Sequence, residues 1–423
     1  MANSINLFTR KLMKGVMESF ESKRTVSKTV NTALLSGAFG KGTGANVDFP
    51  RPTDYVSSRT ANGDISGGSA SDIITGKATA TIQDYITVEL AFSEADQAIN
   101  MGGDAEREFY DSAASRLVTD MEVDFCAFAA KYSSLSSGTP GQAVNAWGEI
   151  ANAGALMHSV GVPDGPLYYV GNPFMQVALA EIQRSIGAVD PLVSQAFRDA
   201  TIANNFAGMK VMTSTALNAV TVGNFTDRAG TLSATPTATY LSVKDTMVQT
   251  LAVTALAANT VVKAGEIITV TGRNRLNLST RQAALNASGA GILWTGVVIA
   301  DVTLNGSGAG DLVVAGPAVF ESGGAYNSVA SALTSGDVVT LTYPANATTQ
   351  GNLFYHKNAF GIGSVPIEKL FSTDTIGTSK DGLQLRCSKG ASIRENKQIV
   401  RFDLRPAYAS LNPYFAGKGF GTA

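Results

Sequence analysis

Histidine and cysteine are almost missing from this 423-residue chain: His158, His356, Cys126 and Cys387 are all it has. Two cysteines so far apart exclude a disulfide framework and fit a reducing compartment, where each is expected as a buried free thiol. A zinc centre would have to draw on these four residues, and no two of them share a ligand spacing. Charge is scarce too. Asp, Glu, Lys and Arg make up 16%, with a net charge of −2, against ~25% in ordinary soluble domains. That excludes a global pull toward nucleic acid or anionic lipid. It suits a surface largely covered by other chains. No apolar run reaches the ~18 residues of a membrane span, and the N-terminus has no continuous apolar stretch of the secretory kind. The sequons at Asn224, Asn277, Asn286, Asn305 and Asn346 are therefore read as chance in a Thr/Ser-rich region.

Recognisable chemistry is lacking as well. "GAFGKGTG" at 37–44 fails as a phosphate loop, because Gly42 follows Lys41 where Ser or Thr is needed. "NGSGAG" at 305–310 lacks a strand–turn–helix setting and reads as a β-turn. No serine sits in a GxSxG elbow. His158 closes a helical stretch and His356 alternates with Phe354, so both read as structural. No two carboxylates pair over a pocket. No catalytic, cofactor-binding or metal-binding residue is expected, no cofactor is called for, and the chain does not read as an enzyme.

What the chain does have is geometry. Residues 4–35 read as a helix, with Ile5, Phe8, Leu12, Val16 and Phe20 at three- and four-residue steps. Residues 1–28 hold six basic and two acidic side chains. This makes a basic arm, with Arg10, Lys11 and Lys14 as its candidate contacts to an acidic partner surface. A glycine-rich hinge follows at 36–46. Residues 47–92 then read as a long two-stranded arm, from Val47 and Phe49 to the alternating Ile86, Val88, Leu90 and Phe92. Its tip is rich in glycine and hydroxyls and cannot bury itself, and a lone hairpin is marginal in water. The spacing of Phe109, Ala113, Leu117, Met121, Phe125 and Ala129 predicts a helix over 104–132, a rod of roughly 40 Å. Seven acids against three bases on it read as a solvated acidic face, or as a bed for the basic arm.

Residues 141–223 read as mixed α/β: "NAWGEIANAGALMHSVGV" and "FMQVALAEIQRSI" as helices, "PLYYVGNP" as a strand into a turn, and "NNFAGMKVMTST" as a closing strand. Composition then shifts. Residues 224–351 contain no His or Cys, and only 13 of 128 are charged. "EIITVTG", "GILWTGVVIADVTL", "GDLVVAG" and "DVVTLTYP" alternate between turn clusters, the pattern of a small all-β barrel or sandwich. The mixed style resumes at "NLFYHKNAFGIGSVPI", so 224–351 reads as an insertion at a loop tip. Residues 383–423 read as strands followed by a glycine-rich tail.

The order of arm, long hairpin, long helix, α/β domain, inserted β-module and closing strands resembles the major capsid (coat) proteins of tailed bacteriophages. The likeness is to those of short-tailed enterobacterial phages that carry an inserted domain. The segments that carry it are "ATATIQDYITVELAFSEADQAINMG", "ATIANNFAGMKVMTSTAL", "VKAGEIITVTG" and "NLFYHKNAFGIGSVPIE", and it spans nearly the whole chain. The resemblance implies an α+β, Hong Kong 97-like capsid fold with an inserted small all-β barrel. It implies an N-terminal arm 1–46, an extended hairpin loop 47–92, a peripheral domain 93–140 and 395–423 with spine helix 104–132, an axial domain 141–223 and 352–394, and the inserted domain 224–351.

It further implies hexamers and pentamers of one chain, in which the loop overlaps a neighbour through residues such as Ile65, Ile73 and Ile74. The inserted domain would reach between capsomers near Lys244 and Asp245. Implied partners are a scaffolding protein, a portal protein and the enclosed double-stranded DNA, bound without sequence specificity; no membrane is involved. Implied too are assembly in the bacterial host cytoplasm, a procapsid that expands, a T = 7 shell and a final place in the virion. Another virion structural protein, such as a β-rich tail component, has the same β-rich composition but not the long helical N-terminal third.

Overall fold

A computed structural model describes residues 6–40, 42–66, 71–93, 103–185, 201–223, 225–371, 374–392 and 396–422. Only backbone is described at 6–12, 92, 103–109, 182–185, 201–204 and 392. The chain divides into two compact units. One joins Met1–Val47, Ala80–Cys126 and Phe360–Ala409; the other joins Asp48–Thr79, Ala127–Ala359 and Ser410–Ala423.

In the first unit, helix α1 (Asn6–Lys23) buries Met13, Val16, Met17 and Phe20, one stripe at helical spacing. Helix α1 ends at Lys23, well short of the expected residue 35. The following "TVSKTV" is β-branched and hydroxyl-rich, residue types that favour turns and caps over helix interiors. Val26, Val30 and Leu35 keep an apolar spacing and are buried, but from turns. Helix α2 runs Gly103–Lys131, close to the range expected from its four-residue steps. Glu122 does not belong to a solvated face. It is buried, and one carboxylate oxygen accepts from Thr25 N (2.6 Å), Ser27 N (3.2 Å) and Ser27 Oγ (3.0 Å). Burial pushes its pKa up against those bonds. The arm thus lies against this helix through backbone donors, while Arg24 pairs with Asp381 at 2.9 Å. Further along α2, Phe125 meets Phe360 and Tyr408 edge-on, with ring centroids 6.0 and 5.4 Å apart.

A four-stranded antiparallel sheet in this unit has the order Thr375–Thr378, Gln384–Ser392, Lys397–Leu404, Ile86–Ser93. Val88 faces Phe402, and Phe402 faces Cys387. Strand Ile86–Ser93 is therefore not the return leg of a two-stranded arm; its whole length pairs with Lys397–Leu404. The pattern of apolar residues fixed which face is buried, but not which strand lies alongside. Both cysteines are buried free thiols, and burial pushes Cys387 up to about 12.

In the second unit, a six-stranded sheet has the order Leu135–Ser137, Ala416–Gly419, Asn352–His356, Leu167–Gly171, Met209–Thr213, Thr201–Phe206. Helix α3 (Trp147–Val160) packs Ile150, Ala153, Met157 and Val160 into a cluster with Tyr169, Val211 and Phe354. Helix α4 (Pro173–Ser185) follows. Two sequence expectations change here. "NNFAGMKVMTST" is a hairpin rather than one strand, because Ala207 and Gly208 both take positive φ (49° and 79°) in a tight turn that pairs Phe206 with Met209. The glycine-rich tail is not a tail; Ala416–Gly419 is a buried strand between two others. Small residues are required there, since a Cβ on Gly417 would meet the Phe354 ring. Residues 360–409 accordingly group with α1 and α2, and 410–423 with the six-stranded sheet, which differs from the sequence grouping of both C-terminal segments.

The inserted module is a closed barrel. Its strand order is Val248–Thr254, Gly310–Ala315, Leu293–Val298, Ile267–Asn274, Val338–Leu341, Ala229–Leu232, returning to the first. Alternate residues fill it, among them Leu251, Val253, Val270, Leu312, Val314 and Val339 around the fully buried Trp294. The segments leading in and out, Ala219–Thr221 and Thr348–Gln350, pair with each other as a two-stranded neck.

Lys418 connects sheet and barrel. It is fully buried, donates to Gly265 O at 2.5 Å and faces the Tyr343 ring at 5.9 Å. Burial lowers its pKa to about 7, opposed by Glu266. An unfolded lysine titrates near ~10.4. Between these values the unfolded chain binds a proton that the folded chain refuses, so this penalty is absent above ~10.4 and complete below about 7. Stability is expected to rise with pH across that window. In urea unfolding at several pH values from about 6 to 10, Lys418→Met should flatten the rise. An unchanged slope would refute the assignment.

Candidate subunit-contact surfaces

The described residues between strands Asn46–Pro50 and Lys77–Ile82 form no regular structure of their own. Its root is nevertheless tied down. Arg51 N donates to Gly76 O (2.8 Å), and the Arg51 guanidinium donates to Lys77 O (3.0 Å) and to Leu411 O. Asp54 forms an ion pair with Arg281, which also donates to Asn327 O at 2.8 Å. The Tyr326 hydroxyl accepts from Asp54 N (2.9 Å) and donates to Ile74 O (3.1 Å), so one side chain of the inserted module holds both legs of the loop. The Tyr326 ring stacks on Tyr240, with centroids 3.7 Å apart and planes 5° from parallel.

Beyond the root the loop is open. Every residue from Tyr55 to Ser66 is exposed, and the hydrogen bonds there are local, such as Asp64 N to Asn62 Oδ1 and Ser66 N to Asp64 Oδ1. Ile65 is 64% exposed and Ile73 is 74% exposed, a large apolar surface for two side chains with no partner element among the described residues.

The other residues singled out from sequence fall in different places. Ile74 is half-buried and packs against a cluster of Tyr240, Val243, Met247, Val319 and Tyr414. Lys244 and Asp245 lie at that same root. They pair with each other at 3.0 Å, and Asp245 also accepts from Lys77 N at 3.2 Å. Hydrogen bonding to Lys244 holds the Asp245 carboxyl below its ordinary range. The backbone approach is close: a Cβ on Gly76 would lie 2.6 Å from Lys244 O. Thus Ile74, Lys244 and Asp245 come together within one chain, while Ile65 and Ile73 point away from it. Lys14 sits exposed on α1, 3.9 Å from Glu18. The side chains of Arg10 and Lys11 lie outside the described residues. The pivotal side chains, Asp54, Tyr240, Arg281 and Tyr326, were not singled out from sequence; only the scarcity of charge in this region marks Asp54 and Arg281.

The buried His356 packs edge-on to Phe415, with ring centroids 5.9 Å apart, and its Nε2 has no hydrogen-bond partner among the described residues. His356 Nδ1 accepts from Asn358 N at 3.1 Å, and burial lowers its pKa. Among the described residues no helix is long and apolar enough to cross a membrane, and no three acidic, histidine or cysteine side chains gather as a metal site.

The family described as P22 coat protein, gene protein 5, matches residues 1–421. The major capsid protein of Acyrthosiphon pisum secondary endosymbiont phage 1 is 32% identical over 425 residues, covering 100% of both chains. Fold and relatives define a structural protein of the tailed-phage shell, a major capsid protein and not an enzyme. The chain belongs to the P22 coat protein family. Its fold mixes helix and strand and carries a closed six-stranded barrel within residues 224–351. Solved structures that overlay on it include one of Mycobacterium phage Che8 (TM-score 0.47, 11% identity, 93% of this chain and 90% of that one). The capsid of Ralstonia phage GP4 overlays with a TM-score of 0.44 at 9% identity, covering 96% and 91%. Like other capsid proteins, members of this class assemble into shell oligomers.

Proposed function

We propose that this chain builds the icosahedral shell around a double-stranded DNA genome, as hexamers and pentamers of one subunit. Assembly passes through a procapsid that expands. The family match over residues 1–421 carries this reading. The exposed loop supports it, since residues 55–66 present side chains and backbone that a neighbouring chain can cover. In this reading 1–46 is the arm, 47–92 the extended loop over a neighbouring subunit, α2 the spine, the six-stranded sheet with α3 and α4 the axial part, and 224–351 the inserted domain. A scaffolding protein and a portal are the expected assembly partners, the bacterial cytoplasm the place of assembly, and T = 7 the expected geometry. A net charge of −2 suits the role, because strong attraction to phosphate would oppose packaging and release.

Electron microscopy and sedimentation of the protein produced in bacteria, with and without a co-produced scaffold, test the proposal. Closed particles of uniform size are expected, and their geometry gives the triangulation number. A slowly sedimenting monomer under both conditions would sink it.

A further inference from the structure

The extended loop is fastened at its root and free beyond it, and the fastening comes from the inserted module of the same chain. The Tyr326 hydroxyl bridges Asp54 N and Ile74 O, so the two legs cannot separate without losing both bonds. Arg281 adds the ion pair to Asp54 while its other nitrogen is fixed on Asn327 O, the carbonyl next to Tyr326. Tyr240, stacked on Tyr326, opens the short helical turn Tyr240–Val243. The residues just after that turn, Lys244 and Asp245, meet Gly76 and Lys77 of the loop. Exposed Tyr55, Val56 and Ile73 on the loop and exposed Leu241 on the turn are thus carried on one framework.

We propose that Arg281, Tyr326 and Tyr240 are positioning residues for assembly. They set the direction in which the loop leaves the subunit, so that loop and turn meet a second copy of this chain together. This rests on the reading of the loop as a subunit contact. At the root the carboxylates are paired within the chain, Asp54 with Arg281, Asp245 with Lys244 and Asp48 with Lys77. Beyond the root the described loop exposes Tyr55, Val56, Ile65 and Ile73, hydroxyls and backbone, with Arg59 against Asp64 and Asp72 in charge; such a surface has no excess of positive charge, and a neighbouring protein covers it where a polyanion does not. A loop already held at its root also brings less disorder to be lost on contact, and preorganisation of that kind favours association.

The test uses the full-length chain carrying Arg281→Ala, Tyr326→Phe, Asp54→Ala, or the exchanged pair Asp54→Arg with Arg281→Asp. Three quantities are read: the thermal melt, the rate at which a protease cuts within residues 57–70 of the monomer, and the rate of shell assembly by light scattering. Tyr326→Phe keeps the ring stack and removes only the bridge. It and Arg281→Ala should leave the melt in place, raise the cleavage rate by about tenfold as the open root gains population, and slow assembly. The exchanged pair should recover part of both. Wild-type cleavage and assembly rates in these variants overturn the proposal, and so does faster cleavage with unchanged assembly. A wild-type chain that never assembles fails the subunit-contact reading instead, while its cleavage rates still test the anchor.

Discussion

Removing residues 57–70 and joining Val56 to Ser71 through a short glycine link should leave a folded subunit that forms no shells. The join is geometrically easy, since Val56 N donates to Ser71 Oγ at 3.0 Å. The described part of this segment is exposed and bonded only to itself, so its loss removes no core contact. Exposed loop tips tolerate such changes where no buried backbone is affected. Assembly is different, because in the proposed reading the loop's exposed apolar and backbone groups lie against another chain. The cut stops short of Ile74 and Gly76, which belong to the packed root. Circular dichroism, the thermal melt and electron microscopy read the outcome. Normal shells from the shortened chain would show that the loop tip is not a subunit contact.

The second large effect lies in the barrel. Trp294 is fully buried at its centre, and its indole N–H donates to Gly316 O at 3.1 Å. Trp294→Ala opens a large cavity and leaves that carbonyl unpaired, a loss of about 3–5 kcal/mol. A domain of this size has roughly 5–15 kcal/mol in total. Residues 219–350, cut outside the paired neck, should by themselves give a cooperative β-type melt. Trp294→Ala in that fragment should abolish the melt or lower its midpoint by many degrees. A fragment that is unfolded without any substitution would show that the barrel depends on the rest of its unit, for which the buried Lys418–Gly265 contact is the first suspect.

The sequence was most legible where one physical signal dominates. The four-residue steps from Phe109 to Ala129 announce a helix because nothing in that stretch interrupts them, and the structure has it over Gly103–Lys131. The barrel strands announce themselves by alternation, with Val270 inward between Thr269 and Thr271 and Val253 inward between Ala252 and Thr254. Legibility failed where tertiary contact decided. Val26 and Val30 keep a helical spacing but serve turns, because Glu122 offers its carboxylate to the backbone N–H groups of Thr25 and Ser27. The 201–213 hairpin was hidden because its turn uses Ala-Gly instead of the usual Asn-Gly, with Ala207 at positive φ. The root of the loop was least visible. Asp54 meets Tyr326 and Arg281 across 272 and 227 positions of sequence, and no local pattern records a contact of that range.

The barrel's closure bears on how a self-binding protein avoids binding itself wrongly. Each of its six strands has a neighbour on both sides, so the barrel itself offers no free strand edge, and the neck and the pair Val261–Val262 with Val302–Thr303 have edges only two or three residues long. Edge-to-edge addition is the commonest route by which β-rich chains polymerise at random. A subunit that must recognise copies of itself can carry a Thr- and Val-rich β-module of this size without adding a second, unregulated adhesive.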